Sequence, residues 1–442
     1  MMRTVVVGAG PTGVFTAVAL ARRGRKVTLV DRDPGPPSRG EWRRRGVMQF
    51  EHAHSFRGHV VDALAAELPD ALHALVTSGA EVVMAPGEPT RPAGLRCRRS
   101  VFEQALRRCA AGQPGVHLVT AHADEVVAAH GRATGVRIGS AVLEADLVID
   151  ASGRAGRFGT AVRGRGERVD CGATYAGRQY RLRSAAAFGP TNSVVGLSLS
   201  LGGYGAVVFI HDNRTFTVTV IHSGTDDRLH RLRHDAVFDA AVRAVPGISD
   251  WVDPRRSRPI AAVLPAGRLY NSYRGQLDDA GAPVLTGLVS VGDAVCTTTP
   301  LAGRGVSLAF GQARELIAMI DHDAADLHTL TTEFDAWCER HIKPWYTDHL
   351  TCDTDRVRRW SGGDIDLGSP LPSDLIVAAA EADPQLHAIV APYVTMDALP
   401  ASLAPAEPRA REIYAGGWRP NPAAGPTREE LSALVSRTPA AA

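Results

Sequence analysis

The stretch from Thr4 to Asp33, TVVVGAGPTGVFTAVALARRGRKVTLVDRD, constrains this chain more than any other. Val5, Val6 and Val7 form a short β-branched run suited to a buried parallel strand. Gly8, Gly10 and Gly13 follow at GxGxxG spacing, and Val14, Ala17, Val18 and Ala21 then recur as the apolar stripe of a helix that stops at Gly24. A second apolar run, Val27 to Val30, ends on Asp31, 23 residues after the first glycine. The glycine spacing alone is a weak signal. Set between a strand and a helix, with an acid closing the next strand, it points to a dinucleotide site.

Each residue type has a physical task there. Gly8 permits the tight turn, Gly10 lets backbone approach a pyrophosphate, and Gly13 lets the helix pack close to the strand. The first N–H groups of the helix then face the anion, and Thr12 is counted with them. Asp31 is placed to accept hydrogen bonds from a ribose.

At 442 residues the chain can form two or three domains with a large core. Its net charge of +2 carries no basic footprint for nucleic acid, and no apolar run approaches the ~20 residues of a membrane span. Only two lysines occur, Lys26 and Lys343. The six cysteines (97, 109, 171, 296, 338 and 352) include no CxxC pair and no zinc spacing, so no metal site is expected. Scattered cysteines and the absence of a signal pattern before the glycine turn read as a reduced, cytoplasmic protein.

After Asp31 comes a proline- and arginine-rich loop, PGPPSRGEWRRR, leading to GVMQFEHAHSF. Helical spacing runs from residue 59 to 78, Glu81 to Met84 reads as a strand, and PGEPTRPAG as a turn. Ser100 with Glu103 predicts a capping box ahead of a helix to Cys109. His117–Thr120, Thr134–Ile138 and Ala145–Ile149 look like strands, the last running into DASGRAGR. From about 170 to 225 the period changes to two, predicting an antiparallel meander with a hairpin at Asp212–Asn213. Leu232 to Val245 reads as a helix ended by Pro246–Gly247, and Val284 to Val291 as a fully apolar strand. That strand meets Gly292–Asp293 and a loop, TTTPLAGRG, which opens a helix from about Val306 to Ile320. The remainder is mostly helical, and composition predicts disorder over the last ~20 residues.

Three motifs together resemble the class A, 4-hydroxybenzoate hydroxylase-like flavoprotein monooxygenases. They are the extended fingerprint Gly8-x-Gly10-x-x-Gly13-x3-Ala17-x6-Gly24, the mid-chain Asp150-Ala151-Ser152-Gly153-Arg154, and VGDAVCTTTPLAGRGVSLAFGQA at 291–313. The resemblance implies an α/β fold: a Rossmann-like FAD-binding domain over 1–75, 96–168 and 270–335. An inserted antiparallel substrate domain over 76–95 and 169–269 and a helical region over 336–442 complete it. It implies that Asp150 lies by the cofactor, that Asp293 holds the ribityl chain, and that Pro300 lies by the isoalloxazine. Gly303 and Gly305 would present N–H groups to the flavin pyrimidine. A narrower resemblance, to actinobacterial epoxidase-like flavoenzymes, rests on RRGVMQFEHAH against their R-x-G-V-P-Q-x-R-H-x-H. It implies that Arg44 and Gln49 lie near FAD, that Arg99 contacts its phosphate or ribose region, and that Val126 touches adenine through its backbone. The chain departs from that pattern at Met48 and Glu51. It departs again at Arg304, where relatives have Gln or His.

These resemblances imply a monooxygenase that hydroxylates or epoxidises a hydrophobic or aromatic small molecule of specialised metabolism, the flavin C4a-hydroperoxide carrying the oxygen. No second GxGxxG sits between strand and helix, so NAD(P)H binds transiently or a separate flavin reductase supplies reduced FAD. His52, His54 and Arg304 are the candidates for catalysis. Tyr175, Arg178 and Tyr180, on the first strand of the period-two region, are the candidates for substrate contact. By alternation Arg178 and Tyr180 share one face and Tyr175 takes the other. Reduction or cyclisation on the same fold is the main alternative reading; a non-catalytic binding module is the remote one.

Overall fold

The opening Thr4–Val7 run (β1) is buried at all four positions, as a strand covered on both faces must be. The computed structural model describes residues 2–38, 40, 42–44, 46–154, 156, 158–163, 166–322 and 326–440. It divides into two units, one of residues 1–50, 56–169 and 270–346, the other of 51–55, 170–269 and 347–442.

In the first unit, β1 lies at the centre of a five-stranded parallel sheet. The order is Leu288–Ser290, Leu147–Asp150, β1, Val27–Asp31 (β2) and Val116–Thr120. The chain moves from β1 outward through β2 to Val116–Thr120, then returns on the other side of β1. The strand order therefore reverses between β1 and Leu147–Asp150, where α/β sheets bind ligands outside the carboxyl ends of their strands. Val7 is level with Asp150, and Asp150 with Ser290, so the strand-end motifs meet along one edge.

Pro11 starts the helix Pro11–Arg22 (α1), in which every residue from Gly13 to Ala21 is buried. The predicted stripe widens to the whole helix because Arg99–Gly112 and Gly305–His322 both pack on it. Phe15 lies 4.6 Å from Phe310, Phe310 lies 6.2 Å from Phe102, and Phe102 stacks on Phe56 at 4.3 Å. Such ring pairs each add about 0.5–1.5 kcal/mol beyond their buried area.

The second unit is built on an antiparallel sheet in the order Gly196–Leu201, Tyr204–Ile210, Thr215–Ser223, Ala173–Leu182 and Ser257–Pro259, with Leu264–Ala266 also paired to Ala173–Leu182. It is not a simple meander, since the first long strand pairs with the last across nine residue positions. The hairpin turn is as expected: Asn213 and Arg214 both have positive φ, and Thr215 N–H donates to Asp212 C=O.

Several local expectations are corrected. The helix over 59–78 is two, Gly58–Glu67 and Pro69–Thr77, because Pro69 has no N–H to carry the first through Leu68. The proline-rich turn shrinks to two residues, and Glu88–Arg96 forms a strand whose pairing shifts register near Pro92. No capping box forms at Ser100; the helix starts at Arg99, and Glu103 points into an ion-pair network instead. Asp235–Arg243 is a shorter helix than expected, and Pro246 begins the next one, Pro246–Val252. The strand predicted over 284–291 is only Leu288–Ser290. Residues 76–95 fall in the first unit, and 347–442 join the second rather than standing apart.

The tail is also ordered through residue 440. Thr427 and Glu430 form a reciprocal capping box at the start of Arg428–Arg437, and Leu431 and Val435 enter the second unit's core. Spaced four apart, they put one apolar stripe on the sheet unit, which composition averages away. Leu431→Ala should therefore destabilise this unit by about 2–5 kcal/mol. Urea unfolding would show it, and an unchanged midpoint would mean the helix is not part of that core.

Candidate cofactor site

At the strand-order reversal, two kinds of glycine separate. Gly8 has φ +100°, and a Cβ there would lie 2.4 Å from Ala151 O; a Cβ on Gly13 would lie 1.8 Å from Gly8 O. Packing within the protein dictates both. Gly10 is extended, and the nearest atom to its Cβ position is Arg44 Nη1 at 3.7 Å. At Gly305 the nearest is Thr298 Oγ1 at 3.9 Å. Neither glycine is required by its protein neighbours, and both keep backbone uncovered at a helix start. A third close approach joins the motifs: the Cβ position of Gly292 lies 3.1 Å from Thr12 Oγ1, bringing the Asp293 turn against the first turn of α1.

A chain of buried charges runs beside this edge. Asp31 Oδ2 accepts from Ala9 N–H at 2.6 Å and from Arg44 Nη2 at 2.5 Å, while Oδ1 accepts from Asp33 N–H at 2.8 Å. Arg44 Nη1 donates to Glu103 Oε2 at 2.7 Å, and Arg99 Nε to Glu103 Oε1 at 2.5 Å. Burial works to lower the Arg44 pKa, but Glu103 and then Asp31 outweigh it and hold the guanidinium above its ordinary value. Arg107 donates to Asp33 C=O at 2.6 Å, and Arg44 and Arg107 both lie 6.0 Å from the Trp42 ring centroid. Asp31, Arg44 and Arg99 are thus one network. Gln49 is half-buried on the turn before Phe50, and Arg45, within the same segment, lies outside the described residues.

Asp150 is 2% exposed, and its Oδ1 accepts from Ser152 N–H at 3.0 Å and Ser152 Oγ at 2.6 Å, shaping the turn after its strand. Asp293 follows on a 3-10 turn. Burial raises its pKa, opposed by the charges of Arg99 and Arg154. A carboxyl so placed gains from a hydroxyl donor. Pro300–Ala302 forms a second 3-10 turn, and Gly303 ends it in the left-handed region at φ +62°. The helix Gly305–His322 begins directly after, its first bond running from Leu308 N–H to Arg304 C=O, so the amides of residues 305–307 have no partner within the helix. Arg304 is buried with its guanidinium 4.6 Å from the Trp345 ring centroid. Cys296 is buried, which pushes its thiol well up.

The hydroxyls of Thr298, Thr299 and Ser307 are buried without a protein hydrogen-bond partner. Three such groups within ten residues, beside unpaired helix amides, fit a polar planar ligand that supplies their partners. The first helix offers the same to an anion. The residues present fit FAD.

The remaining candidates belong to other elements. Val126 pairs with Val136 in a small antiparallel sheet of the first unit and packs on a core that includes Val5, Val7 and Val30. In the second unit His52 is buried edge-on to Tyr175 at 5.1 Å, and His54 Nδ1 is 3.0 Å from His52 O. Arg178 donates to Asp235 and Asp239, and Tyr180 OH donates to Asp239 Oδ1 at 2.9 Å. Arg178 and Tyr180 share the face that meets the helix Asp235–Arg243. Sequence reading assigned Glu103 to a capping box and missed its ion pairs with Arg44 and with Arg99 one turn before it. It also missed Arg57, Arg107 and Trp345, which carry no local signal. Among the described residues no cluster of metal-ligand type occurs, and no helix is long and apolar enough to cross a membrane.

Residues 4–158 match the FAD dependent oxidoreductase family. A curated relative, D-amino acid dehydrogenase 2 of Ralstonia nicotianae, is 40% identical over 57 residues, which is 13% of this chain and 13% of the relative. The match therefore spans a small part of that protein. Among solved structures, the probable FAD-dependent monooxygenase PqsL of Pseudomonas aeruginosa aligns with a TM-score of 0.59 and 16% identity over 82% of this chain and 98% of its own. The flavin-dependent brominase Bmp2 aligns with a TM-score of 0.64 and 14% identity over 94% of this chain and 100% of its own. Anhydrotetracycline hydroxylase OxyS of Streptomyces rimosus gives 0.58 and 16% over 89% and 76%. The chain shares their fold: a Rossmann-like parallel sheet with antiparallel sheets and C-terminal helices.

Proposed function

We propose that this chain is an FAD-dependent oxidoreductase, a monooxygenase that hydroxylates or epoxidises a hydrophobic or aromatic small molecule of specialised metabolism. The observation that carries this reading is the meeting of both cofactor motifs at one sheet edge, with amides and hydroxyls left for a ligand. The backbone of Gly8, Gly10, Thr12 and Gly13 would receive the pyrophosphate. Asp31, with Arg44 and Arg99, would hold the adenosine side. Asp293 would accept a ribityl hydroxyl, and Pro300, Gly303 and Gly305 would border the flavin ring. When bound, FAD supplies two-electron reduction and the activation of O2. The protein orients it, and the unpaired amides at the start of Gly305–His322 favour negative charge on the neighbouring ring. NAD(P)H, or a flavin reductase, would supply the electrons.

Of the substrate candidates, Arg178 and Tyr180 are held by Asp235 and Asp239, and Tyr175 packs edge-on against His52, a candidate for catalysis. The protein should purify with a flavin spectrum and consume O2 when given reductant and substrate. Turnover without O2 would favour a reductase or cyclase on this fold, a reading to which the buried Arg304 in the flavin loop lends weight. Failure to bind FAD would remove both.

A further inference from the structure

The motif at 291–313 closes on Gln312, two turns into the helix Gly305–His322 and 20 residues beyond Gly292. Its side chain is fully buried, and its Oε1 accepts from Gly292 N–H at 2.9 Å. A backbone N–H can only donate, so this bond settles which end of the side-chain amide is oxygen and turns Nε2 away. Nε2 is buried with no acceptor among the described residues. A buried donor left unmatched costs stability, and methionine would fill the same space without that cost. What a glutamine adds here is the bond to Gly292. That bond sits at the entry to the Asp293 turn. The exit is held separately: Val295 N–H donates to Gly292 C=O at 2.9 Å, Thr297 Oγ1 to Asp293 C=O at 3.1 Å, and Arg163 Nη1 to Ala294 C=O at 3.3 Å. Gly292 itself has φ +71° and no side chain, so its own torsions restrain it least of any residue in the turn. Its Cβ position lies 3.1 Å from Thr12 Oγ1, so on that side the turn already lies against α1.

We propose that Gln312 is a positioning residue: by holding the Gly292 amide it sets the direction in which the Asp293 carboxylate leaves the turn, toward the ribityl chain of the cofactor. This rests on the FAD reading of the site. Rotation at Gly292 swings every atom that follows, and the first side chain to follow is that of Asp293. With the exit fixed and the entry released, the change falls on Asp293, and the carboxylate loses its aim while the rest of the fold is kept. The adenosine half of the site, built on Gly8, Gly10, Gly13 and Asp31, does not share this bond. Gln312 therefore bears on the flavin half of FAD and not on the ADP half. Glutamate in its place keeps an acceptor for Gly292 N–H; a thioether is a weak acceptor and leucine has none.

The test measures dissociation constants for FAD and for ADP, with thermal melts of the apoprotein. It compares wild type, Gln312→Met, Gln312→Glu, Asp293→Ala and the double variant that joins Gln312→Met to Asp293→Ala. Gln312→Met should weaken FAD binding about tenfold, leave ADP binding within about twofold and keep the melting temperature within about 3 °C of wild type. Gln312→Glu should recover most of the loss. In the Asp293→Ala background the same methionine should change FAD affinity less than about twofold, because the group it aims is gone. The proposal is overturned, with the FAD reading intact, if Gln312→Met leaves the FAD constant unchanged, if FAD and ADP weaken alike, or if the full loss persists on top of Asp293→Ala. Wild type that binds no FAD overturns the reading itself. Should Gln312→Met fail to fold, Gln312→Leu takes its place in every comparison.

Discussion

Replacing Gly10 by valine is expected to abolish flavin retention while leaving the apoprotein's melting temperature within about 2 °C of wild type. Gly10 is extended at φ −74°, a conformation that valine adopts freely, and its Cβ direction meets only the tip of Arg44 at 3.7 Å. The protein therefore has room for the side chain, whereas a pyrophosphate seated there as proposed would not. Gly13 gives the contrasting result. Gly13→Ala places a methyl 1.8 Å from Gly8 O, inside the helix–strand contact, so the fold itself must yield. Visible absorbance and thermal melts of the two variants separate a cofactor position from a packing position. A Gly10→Val protein that remains yellow would remove the pyrophosphate from this turn.

Glu103→Ala should lower the stability of the first unit by about 3–5 kcal/mol, because it removes the buried carboxylate that Arg44 and Arg99 share and leaves Asp31 to face Arg44 alone. Glu103 is 1% exposed, and Arg44 and Arg99 hold opposite oxygens of its carboxylate. For a unit of this size the loss corresponds to roughly 10 °C in melting temperature. Glu103→Gln should fall between the two, keeping the shape and one acceptor while removing the charge. The FAD dissociation constant should also rise in both variants, since Arg44 reaches Asp31 from the same anchor. Calorimetry showing Glu103→Ala within 2 °C of wild type would mean that water already solvates this network, contrary to its burial.

The parts of the fold legible in sequence were those encoded over short spans. The β1–α1–β2 unit announces itself because strand, turn, helix and acid are contiguous, and the hairpin at Asp212–Asn213 because Asn213 tolerates positive φ, which Arg214 beside it also adopts. Pairings between distant segments were not legible. Nothing local says that Ala173–Leu182 lies beside Thr215–Ser223 and not beside its neighbour in sequence. The capping box at Ser100 failed for a related reason: Glu103 was drawn away by Arg44, 59 residues distant. The strand-end motifs were readable as a list of residues. Their support was not, because Arg57 and Trp345 act on the loop through contacts that no spacing encodes.

The burial of α1 on every side has a consequence for synthesis. Phe15 is covered by Phe310, which leaves the ribosome 295 residues later. At ~5–20 residues per second, that is about 15–60 s during which the helix carries an uncovered apolar flank. Over the same interval the sheet lacks its Leu288–Ser290 edge, while residues 170–269 of the other unit have already emerged. The nascent chain is therefore a natural client for chaperones that shield apolar surface, and cofactor capture becomes one of the last events of its maturation.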